Sequence, residues 1–466
     1  MIESALELEV DTLGPCRVDS PLADRIAARS ASANAIDADD RVLFDLARSR
    51  AAARGLPAGQ LPGLEPSVAR RKIYFDPTKT RAAIVTCGGL CPGLNNVVRG
   101  LVRGLVGQYG VRSVIGFRNG YQGFIASYGH SVMELTPELV DGIEDRGGTI
   151  LGTSRGQQDP EEIVDCLERM NINLLFVVGG DGSMRGAMKI AQVAQARGTK
   201  IAVVGVPKTI DNDIPVIDHS FGFQTAIDEA ARFLEAAQVE AGSAPHGVGL
   251  VKLMGREAGY IACYAALASG DADFVLIPEV RFALDGEDGF LAQLRRRVTE
   301  RGHAVVVLAE GAGQEHVPEP SRGLDASGNL KFKDIGAFLR DRIVADFEAA
   351  GTDLSIRYFD PSYAIRSLPA NSFDSVYCLR LAYAAVHAGM AGRTATVVGR
   401  YHGRVVNLPM ALIVRDRKRV DAGGDLWQSV LESTGQPAVI GTLPAGTPHE
   451  AASNGVSRTV PAAAPR

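Results

Sequence analysis

The architecture of this chain follows from residues 174–183, LLFVVGGDGS. The first half of the stretch is a short apolar run rich in branched side chains, which is typical of a buried parallel strand. The second half contains glycines, an acid and a serine, and residues 184–191 then have the composition of a helix. Such a turn predicts either a plain strand-to-helix connection or a phosphate site, because free N–H groups at the start of a helix point toward one place.

The acid in this turn, Asp181, indicates which kind of phosphate site the stretch would form. A carboxylate repels phosphate unless a cation lies between the two groups. Proteins commonly bind Mg²⁺ through one or two carboxylates together with the phosphates of a substrate. Asp181 therefore favours a phosphate site that also holds Mg²⁺.

The composition is that of an ordinary globular chain of 466 residues, long enough for about two or three domains. The net charge of -5, with 46% hydrophobic and 22% charged residues, gives no reason to expect nucleic acid or an anionic membrane as a partner. No apolar run approaches the ~20 residues of a membrane span, and residues 1–4, MIES, do not resemble a secretory signal. The six cysteines are scattered, and Cys87 and Cys91 have no metal-binding partners nearby, so we predict free thiols and a cytoplasmic location.

Strands followed by glycine-rich or charged turns recur on both sides of the first stretch. Residues 81–86 form a predicted strand that enters CGGLCPGLNN (87–96) and a helix over 97–108, and the predicted strand 200–206 ends in PKTIDND (207–213). Further predicted elements are strand 111–117, helix 137–146, a loop with one cation at 149–156 and helix 160–170. Alternating strands and helices predict a doubly wound, mostly parallel sheet, in which ligands bind at the carboxyl ends of the strands. Since the glycines and charges lie at these ends, the phosphate interpretation is the stronger one.

A second block of alternating elements begins at residue 226. Its predicted elements are helix 226–242, strand 248–253, helix 257–267, strand 274–278, helix 290–301, strand 303–309, helix 334–350, helix 372–388 and a hairpin of 394–398 with 405–409. We therefore predict an α/β fold with two Rossmann-like three-layer α/β/α domains, mostly parallel sheets and an active site in the cleft between them. The predicted boundaries are 73–222 plus 366–420 for the first domain, 223–365 plus 421–445 for the second, 1–72 for a peripheral N-terminal extension and 446–466 for a disordered tail.

The common phosphate and metal motifs are absent from the sequence. It contains no Gly-x-x-x-x-Gly-Lys-Ser/Thr, no His-Glu-x-x-His, and no Gly-x-Gly-x-x-Gly after the first strand with an acid at the next strand end. The chemistry-bearing residues that remain at the predicted strand ends are the acids Asp181, Asp211 and Asp213 and the cations Arg155, Arg256, Arg357 and Arg366.

This set suits phosphoryl transfer to an alcohol. A sugar hydroxyl is a poor nucleophile, so a carboxylate must accept its proton, while Mg²⁺ neutralises the phosphates. Arginine has a planar fork that binds two oxygens at once, which indicates that the acceptor already carries a phosphate. Each arginine taken alone is more often a solvated surface residue or a member of a structural ion pair.

Residues 73–443 are also similar to a known family, and motifs in a fixed order carry the similarity. They are TCGGLCPGLN (86–95), GGDGS (179–183), PKTIDND (207–213), MGR (254–256), AEG (309–311) and DPSYAIR (360–366). With this combination the chain resembles the ATP-dependent 6-phosphofructokinases, and specifically the long subgroup known from plants and trypanosomatids. The resemblance implies a glycolytic reaction in which Mg²⁺ and ATP serve to phosphorylate fructose 6-phosphate at the C1 hydroxyl.

The resemblance also implies a role for each matching residue. Asp211 would be the general base and Asp181 would hold Mg²⁺, with Asp213, Thr209 and Arg256 completing the catalytic set. The implied nucleotide site consists of Gly89, Arg155, Gly156, Gly180, Asp181, Gly182 and Ser183. The implied sugar-phosphate site consists of Thr209, Ile210, Asp211, Met254, Gly255, Arg256, Glu310, Arg357, Tyr363 and Arg366.

The family is usually dimeric or tetrameric, so the resemblance implies a homodimer or homotetramer in which Arg357 reaches across a subunit boundary. This sequence departs from the short bacterial members at two positions. Gly247 stands where they have an arginine, which leaves Lys252 or Arg357 to supply that charge, and Tyr363 stands where they have a histidine. The resemblance implies an allosteric enzyme, but these departures prevent the effectors of the short enzymes from being carried over.

Gly182 and Lys208 bear on the choice of phosphoryl donor. The pyrophosphate-using relatives have an aspartate at the position of Gly182, where a carboxylate takes the space and charge of the nucleotide α-phosphate. Gly182 therefore favours ATP, whereas Lys208 occurs in the pyrophosphate enzymes and in the ATP-using long subgroup alike. We predict ATP; the alternatives are pyrophosphate as donor, a related ketose phosphate such as sedoheptulose 7-phosphate as acceptor, and a non-catalytic regulatory paralogue, which loss of Asp181 or Asp211 would indicate.

Overall fold

The structure is a computed structural model that describes residues 5–29, 38–45, 55, 61–318, 323 and 331–441. Within these residues the strands are β1 (Val18–Asp19), β2 (Val42–Leu43), β3 (Gly63–Pro66), β4 (Lys72–Ile73), β5 (Arg81–Thr86), β6 (Ser113–Phe117), β7 (Val132–Glu134), β8 (Leu174–Gly179), β9 (Ala202–Pro207), β10 (Gly247–Leu253), β11 (Phe274–Leu276), β12 (His303–Ala309), β13 (Ser355–Phe359), β14 (Thr396–Tyr401) and β15 (Arg404–Pro409). The predicted disordered tail, 446–466, lies outside the described residues.

The α-helices in the same part of the chain lie between these strands and after them. They are α1 (Ala23–Arg29), α2 (Leu94–Val102), α3 (Pro160–Arg169), α4 (Asp181–Ala196), α5 (Phe223–Gly242), α6 (Tyr260–Ser269), α7 (Phe290–Arg301), α8 (Ile335–Ala349), α9 (Ser372–Met390), α10 (Met410–Arg415) and α11 (Asp425–Thr434). None of the helices in the described ranges combines the length and the apolar character that a membrane crossing requires.

The larger sheet has nine strands within the described part of the chain, in the order β2-β3-β15-β14-β9-β8-β5-β6-β7. The strands from β14 to β6 run parallel, whereas β7, β15, β3 and β2 extend the two edges in antiparallel pairings. The predicted parallel sheet is confirmed at its centre, and the predicted hairpin is β14 with β15. The predicted phosphate-binding motifs follow the adjacent central strands β5, β8 and β9, so their turns meet at one edge.

The smaller sheet has four strands among the described residues, all parallel, in the order β11-β12-β10-β13. The chain passes through α6, α7 and α8 between successive strands of this sheet. Parallel neighbours require crossover connections of this kind. The predicted combination of two α/β units, each built on its own sheet, is therefore confirmed.

Both faces of the larger sheet are covered by helices, as the continuous apolar run of β8 requires. Phe176 packs in one apolar cluster with residues of α2 and α9, whereas Leu175 and Val177 pack in another with residues of α3 and α4. All three side chains are fully buried. Burying a side chain of this size stabilises the fold by about 1.5–3 kcal/mol. The strand therefore lies at the centre of a three-layer α/β/α arrangement.

Two predicted helices differ from the structure. The helix expected over 97–108 begins earlier, at Leu94, and continues beyond Val102 as a π-helix, Arg103–Tyr109. Residues 137–146 form turns and a short 3₁₀ segment, Ile143–Asp145, rather than a regular helix. Gly142 has a φ of +76° there, which takes the backbone out of the right-handed helical region.

Part of the predicted N-terminal extension belongs to the larger sheet. β3 pairs antiparallel with β15, and Glu65 on β3 is buried. Glu65 accepts a hydrogen bond from Asn407 Nδ2 (2.8 Å) and forms ion pairs with Arg70 and Arg393 (3.0 Å each). The peripheral interpretation is therefore wrong for this strand, since a buried charge needs such partners and two of them, Arg393 and Asn407, lie far away in the chain.

Candidate active site

The glycine turn that follows β5 lies against the loop that carries Arg155. The N–H of Gly88 donates to the carbonyl oxygen of Ser154 (3.0 Å). Gly88 has a φ of +85°, a conformation that favours glycine. A Cβ built at Gly89 would lie 3.6 Å from a guanidinium nitrogen of Arg155 and 3.6 Å from one of Arg366. The turn therefore lies beside both Arg155, which is predicted to bind the nucleotide, and Arg366, which is predicted to bind the sugar phosphate.

The glycine turn that follows β8 leaves the start of α4 open. Gly180 is the N-cap of α4 and has no side chain to occupy the helix start. A Cβ built at Gly182 would have no neighbour closer than Gln157 Nε2, 4.0 Å away. The carbonyl oxygen of Ser183 accepts a hydrogen bond from the hydroxyl of Tyr121 (2.6 Å), which fixes the first turn of the helix. An open helix start with its N–H groups unobstructed has the geometry that phosphate binding requires.

Asp181, the first residue of α4, has two carboxylate oxygens in different surroundings. Oδ2 forms ion pairs with Arg185, one turn further along α4, and with Arg417 (3.6 Å). Oδ1 is buried and has no hydrogen-bond partner within the described part of the chain. Burial raises the pKa of Asp181 above its ordinary value, the two arginines oppose this shift, and the nearby Asp213 adds to it.

The open oxygen of Asp181 fits a cation that also binds phosphate. A cavity of about 10 Å³, room for roughly one water-sized particle, is lined by Asp181, Asp213 and Arg417 among others. Across the residues that the structure describes, no group of three or more His, Cys, Asp and Glu side chains could hold a metal ion. A magnesium site here would therefore consist of Asp181 and the phosphate oxygens of a ligand, which is a common arrangement for Mg²⁺.

Asp211 lies in the turn that follows β9. Its N–H donates to Thr209 Oγ1 (3.0 Å), and its Oδ1 is buried without a hydrogen-bond partner among the described residues. Burial is the main reason that the pKa of Asp211 is raised to about 8, and the acids Asp213 and Glu310 add to the shift while Lys208 opposes it. A carboxylate with this pKa can accept a proton near neutral pH.

The structure brings the three predicted acids into one cluster, which we call the acidic cluster (Asp181, Asp211 and Asp213). Asp213 raises the pKa of both Asp181 and Asp211, and Arg417 lowers both, so all of these groups lie within electrostatic reach of one another. The cause is topological, because β8 and β9 are adjacent parallel strands and both turns leave the same edge of the sheet.

Lys208 connects the turns after β8 and β9. Its N–H donates to the carbonyl oxygen of Gly179 (2.9 Å), and its side chain is buried. Burial lowers the pKa of Lys208, and Asp211 opposes the shift. Burial also raises the pKa of the Cys87 thiol to about 12, which keeps it neutral. The neighbouring cysteines are thus packing residues, and all six cysteines of the chain are free.

The predicted sugar-phosphate residues of the smaller sheet lie at the ends of β10 and β12. The N–H of Glu310 donates to the carbonyl oxygen of Leu253 (2.9 Å), which sets it beside the Met254–Gly255 turn. Burial raises the pKa of Glu310, whereas Arg256 and Arg366 are among the cations that lower it. Since Glu310 in turn raises the pKa of Asp211, these residues lie close to the acidic cluster.

The positions of four further predicted residues do not indicate a direct role in the active site of their own chain. Ile210 is buried in the core, and Tyr363 is 75% exposed with its ring centre 4.7 Å from the Arg366 guanidinium. Gly156 continues the exposed loop beyond Arg155. Arg357, on the edge strand β13, is exposed and pairs with Glu240 on α5 (3.3 Å). The structure does not join Arg357 to the acidic cluster within one chain.

The absence of an arginine at Gly247 has a steric cause. A Cβ at this position would overlap the carbonyl oxygen of Ala241 at the end of α5, so no side chain fits. The Nζ of Lys252 is held by Asp334 (3.2 Å) and Asp360 (2.8 Å), and Lys252 is also among the cations that lower the pKa of Glu310. Its charge therefore reaches a predicted sugar-phosphate residue, and both substitutes that the sequence suggested, Lys252 and Arg357, stay predictions.

Sequence reasoning missed Arg417, which reaches the acidic cluster from the far end of the chain. Its Nη2 lies 3.6 Å from Asp181 Oδ2 and its Nη1 lies 3.0 Å from Glu257 Oε1. The only signal in the sequence is the basic run RDRKR at 415–419, which is equally typical of a solvated surface. No pattern in the run distinguishes the one arginine that turns inward.

Comparisons with known proteins identify the family that this chain resembles. The sequence profile of the phosphofructokinase family matches residues 81–389. A protein of Amycolatopsis methanolica named ATP-dependent 6-phosphofructokinase is 54% identical over 445 residues, which is 94% of this chain and 97% of the relative. A protein of the same name from Trypanosoma brucei brucei is 45% identical over 373 residues, which is 79% of this chain and 76% of the relative.

The fold is also found among solved structures. The crystal structure of a pyrophosphate-dependent phosphofructokinase from Marinobacter aquaeolei superposes with a TM-score of 0.62 at 22% identity, over 79% of this chain and 95% of that chain. At this identity the likeness concerns the fold alone and says nothing about the phosphoryl donor. It supports an architecture of two α/β units built on separate sheets.

Proposed function

The chain belongs to the phosphofructokinase family, and we propose that the acidic cluster is the centre of its active site. The reaction is the ATP-dependent phosphorylation of fructose 6-phosphate, a step of glycolysis. In this proposal the γ-phosphoryl group of ATP moves to the C1 hydroxyl of the sugar, which gives fructose 1,6-bisphosphate and ADP. The family assignment confirms the resemblance that the motifs indicated.

Asp211 is the general base in this proposal, and the observation that carries the assignment is its buried, unpartnered Oδ1 beside the other acids of the cluster. A sugar hydroxyl attacks a phosphoryl group as its proton leaves, and a carboxylate whose pKa lies near the working pH accepts that proton well. Thr209 Oγ1 accepts from the Asp211 N–H and holds the turn in place. Asp213 supports the base by adding negative charge beside it.

Asp181 would hold Mg²⁺ through Oδ1, the buried oxygen without a partner in the described structure. When bound, the cation neutralises charge on the nucleotide phosphates. Before the cation binds, Oδ2 is held by Arg185 and Arg417, so the carboxylate is already oriented. The N–H groups of the 180–183 turn, together with Gly89, Arg155 and Gly156, would bind the phosphates of ATP.

The fructose 6-phosphate site would join residues from both sheets. Arg256 and Arg366 would bind the phosphate of the sugar through their planar guanidinium groups, and Glu310 would accept hydrogen bonds from sugar hydroxyls. Met254, Gly255 and Tyr363 would line the sugar, with Ile210 supporting the turn from the core. We further propose that Arg357 acts on the active site of a neighbouring subunit in a homodimer or homotetramer.

ATP is the donor in this proposal because the space beside Gly182 is open. The nearest atom to a Cβ there is Gln157 Nε2, 4.0 Å away, so no residue that the structure describes takes the place of a nucleotide α-phosphate. Lys208 is buried beneath the turns and suits either donor. The donor argument therefore depends on Gly182.

A matrix of donors and acceptors tests the proposed function. Turnover is measured with ATP or pyrophosphate as donor and with fructose 6-phosphate or sedoheptulose 7-phosphate as acceptor, each with and without Mg²⁺. We expect turnover with ATP, fructose 6-phosphate and Mg²⁺ together. Activity with pyrophosphate alone would overturn the donor assignment, and preference for the heptulose phosphate would overturn the acceptor assignment.

The base is tested by Asp211→Ser. Turnover should fall by about 10²–10⁴-fold, because general acid–base groups typically contribute that much, while the affinity for fructose 6-phosphate changes little. Asp19→Ser is a matched control, since Asp19 is an exposed acid on β1 that does not line the cavity beside the acidic cluster. Unchanged turnover in Asp211→Ser would remove Asp211 as the base.

A further inference from the structure

Residues 416–420, which we call the 416–420 strap, connect the two α/β units beside the active site. On one side the N–H of Lys418 donates to the carbonyl oxygen of Asp213 (2.7 Å). On the other side the hydroxyl of Tyr260 donates to the carbonyl oxygen of Arg419 (2.7 Å), and the N–H of Val420 donates to Glu279 Oε1 (2.8 Å). The strap is thus hydrogen-bonded to the turn that carries the base and to the unit built on the smaller sheet.

Arg417 is the residue of the strap that contacts charged groups of both units. Its Nη1 lies 3.0 Å from Glu257 Oε1, and its Nη2 lies 3.6 Å from Asp181 Oδ2. Glu257 directly follows Arg256, the arginine of the Met-Gly-Arg motif. The other oxygen of Glu257 is paired with Arg419 Nη2 (3.2 Å). Arg417 therefore links the predicted metal carboxylate to the residue beside the predicted sugar-phosphate arginine.

A cation bound to Asp181 would change which of the two carboxylates, Asp181 or Glu257, Arg417 favours. The guanidinium of Arg417 and a divalent cation carry like charges, and a separation of a few ångströms between them is unfavourable in a partly buried site. The side chains of Arg417, Asp181 and Glu257 are 25%, 24% and 36% exposed, so water screens the repulsion only in part. Binding of the cation weakens the contact with Asp181 and leaves Glu257 as the favoured partner of Arg417.

We propose that Arg417 is a positioning residue that couples binding of the magnesium–nucleotide complex at Asp181 to binding of the sugar phosphate at Arg256, with Glu257 as the intermediate. Release from Asp181 lets both N–H groups of the Arg417 fork engage Glu257, which fixes the segment that carries Arg256. By linkage, the sugar phosphate must then tighten binding of the nucleotide by the same factor. This inference rests on the proposed function and adds a residue that the family motifs do not contain.

The coupling is measured by calorimetry with a non-hydrolysable ATP analogue and Mg²⁺, with and without saturating fructose 6-phosphate. In the wild type we expect the dissociation constant of the analogue to fall by about fivefold or more when the sugar is present. Arg417→Met should bring the ratio of the two dissociation constants to about one. Arg417→Lys keeps a charge but loses the fork, and it should keep part of the coupling.

Arg419→Met is the matched control, because Arg419 contacts the same carboxylate of Glu257 without reaching Asp181. It should keep the coupling ratio of the wild type. A second variant, Glu257→Gln, leaves the metal carboxylate intact and should lose the coupling as Arg417→Met does. Circular dichroism and thermal unfolding establish that each variant is folded before its ratio is compared.

The outcomes separate this inference from the proposed function. If the wild type turns over but shows a ratio near one, or if Arg417→Met keeps the wild-type ratio, the coupling role is overturned while the kinase assignment stands. Equal loss of coupling in Arg417→Met and Arg419→Met also overturns it, because the effect then belongs to the stability of the strap. A wild type that neither binds nor phosphorylates fructose 6-phosphate overturns both.

Discussion

The proton affinity of Asp211 follows from what surrounds its carboxylate. Burial removes water from the group, and Asp213 and Glu310 place further negative charge nearby. Lys208 offers a compensating positive charge, but it is itself buried, and burial lowers its pKa. In the proposed role Asp211 must be ionised before it can accept a proton, and its raised pKa makes that ionisation depend on pH near neutrality.

We expect kcat/KM for fructose 6-phosphate to rise with pH until about pH 8, the value to which burial raises the pKa of Asp211. Below that value the ionised fraction of the base falls about tenfold per pH unit, and kcat/KM should fall with it. The profile is measured by a coupled assay at ATP concentrations below KM, so that the ligand-free enzyme is reported. A flat profile across the neutral range would contradict the assignment.

The same pKa shift makes stability depend on pH. Asp211 has an ordinary pKa of 3.8 and a folded value of about 8, so the native state holds an extra proton between these values. The stability from this proton is complete below the ordinary pKa and is lost as the pH rises through the folded pKa. In metal-free buffer, the advantage of Asp211→Asn over the wild type in urea unfolding should therefore grow with pH, by at most about 1.4 kcal/mol per unit. A constant difference would contradict this.

Gly182→Asp should weaken the binding of ATP while leaving the binding of the sugar phosphate intact. The open space at this position accepts a side chain, and an acid near a helix N-terminus is favourable, so the variant should fold. Repulsion between the new carboxylate and the nucleotide should raise the dissociation constant for an ATP analogue by about tenfold, which corresponds to about 1.4 kcal/mol of binding free energy. Gly182→Asn has the same shape without the charge and should lose less. Equal loss of nucleotide and sugar binding would count against this role of Gly182.

At the scale of single residues, the sequence predicts the position of a site residue when that residue follows a strand with a clear apolar pattern. Asp181, Asp211 and Glu310 each lie within four residues of the end of an apolar run, so their placement at the strand ends could be predicted. The ion pairs of Lys252 with Asp334 and Asp360 could not, because the partners come from elements distant in the chain. Arg417 was missed for the same reason, since nothing local distinguishes it from the other cations of its basic run.

The close packing of α2 and α9 depends on glycines in the first of these helices and in its continuation. A Cβ at Gly100 would lie 2.6 Å from the Cβ of Ala382, and one at Gly104 would lie 3.1 Å from Val386 Cγ2. Neither neighbour is the free end of a long side chain, so relief requires the helices to move apart. The apolar cluster on this face of the larger sheet depends on their separation.

Gly100→Ala should destabilise the protein by about 1–3 kcal/mol through overpacking, more than the roughly 1 kcal/mol that alanine contributes through helix propensity. Gly107→Ala is the matched control in the π-helical continuation, because a Cβ there has nothing within 4 Å. We expect this second variant to be neutral or slightly stabilised. Urea unfolding measures both, and equal effects of the two substitutions would refute the packing argument.

Elements with a long apolar run could be predicted and short edge elements could not. The central strand β8 is fully buried, and its composition alone indicates a parallel strand. β3 is only four residues, GLEP, and its pairing with β15 depends on the contact of Glu65 with Arg393, which no local pattern contains. The helix predicted over 137–146 does not form because Gly142 adopts a positive φ, which the composition of the segment does not reveal.

At the scale of the whole molecule, the order of strands explains why the site forms where it does. β5, β8 and β9 are neighbours in the larger sheet, and β10 and β12 are neighbours in the smaller one, so the turns that carry the proposed site residues converge in each sheet. The predicted domain boundary at residue 420 falls at the end of the 416–420 strap, whose hydrogen bonds run to both units. Single backbone contacts of this kind leave no trace in a sequence pattern.

Arg357 tests whether active sites are shared between subunits. It lies on the edge strand β13 and pairs with Glu240 (3.3 Å) rather than with an acid of the cluster. Alone, Arg357→Ala should raise KM for fructose 6-phosphate by about tenfold or more, the loss expected for one charge-assisted contact of 1.4 kcal/mol or above.

Co-expressed with Asp211→Ser, the Arg357→Ala variant should form mixed oligomers in which roughly half of the sites contain an intact Asp211 and a partner's intact arginine. Activity should then return, whereas Arg256→Ala mixed with Asp211→Ser should stay inactive, because Arg256 and Asp211 belong to one chain's site. Failure to restore activity with Arg357→Ala, or equal restoration with Arg256→Ala, would mean that Arg357 does not act across the boundary.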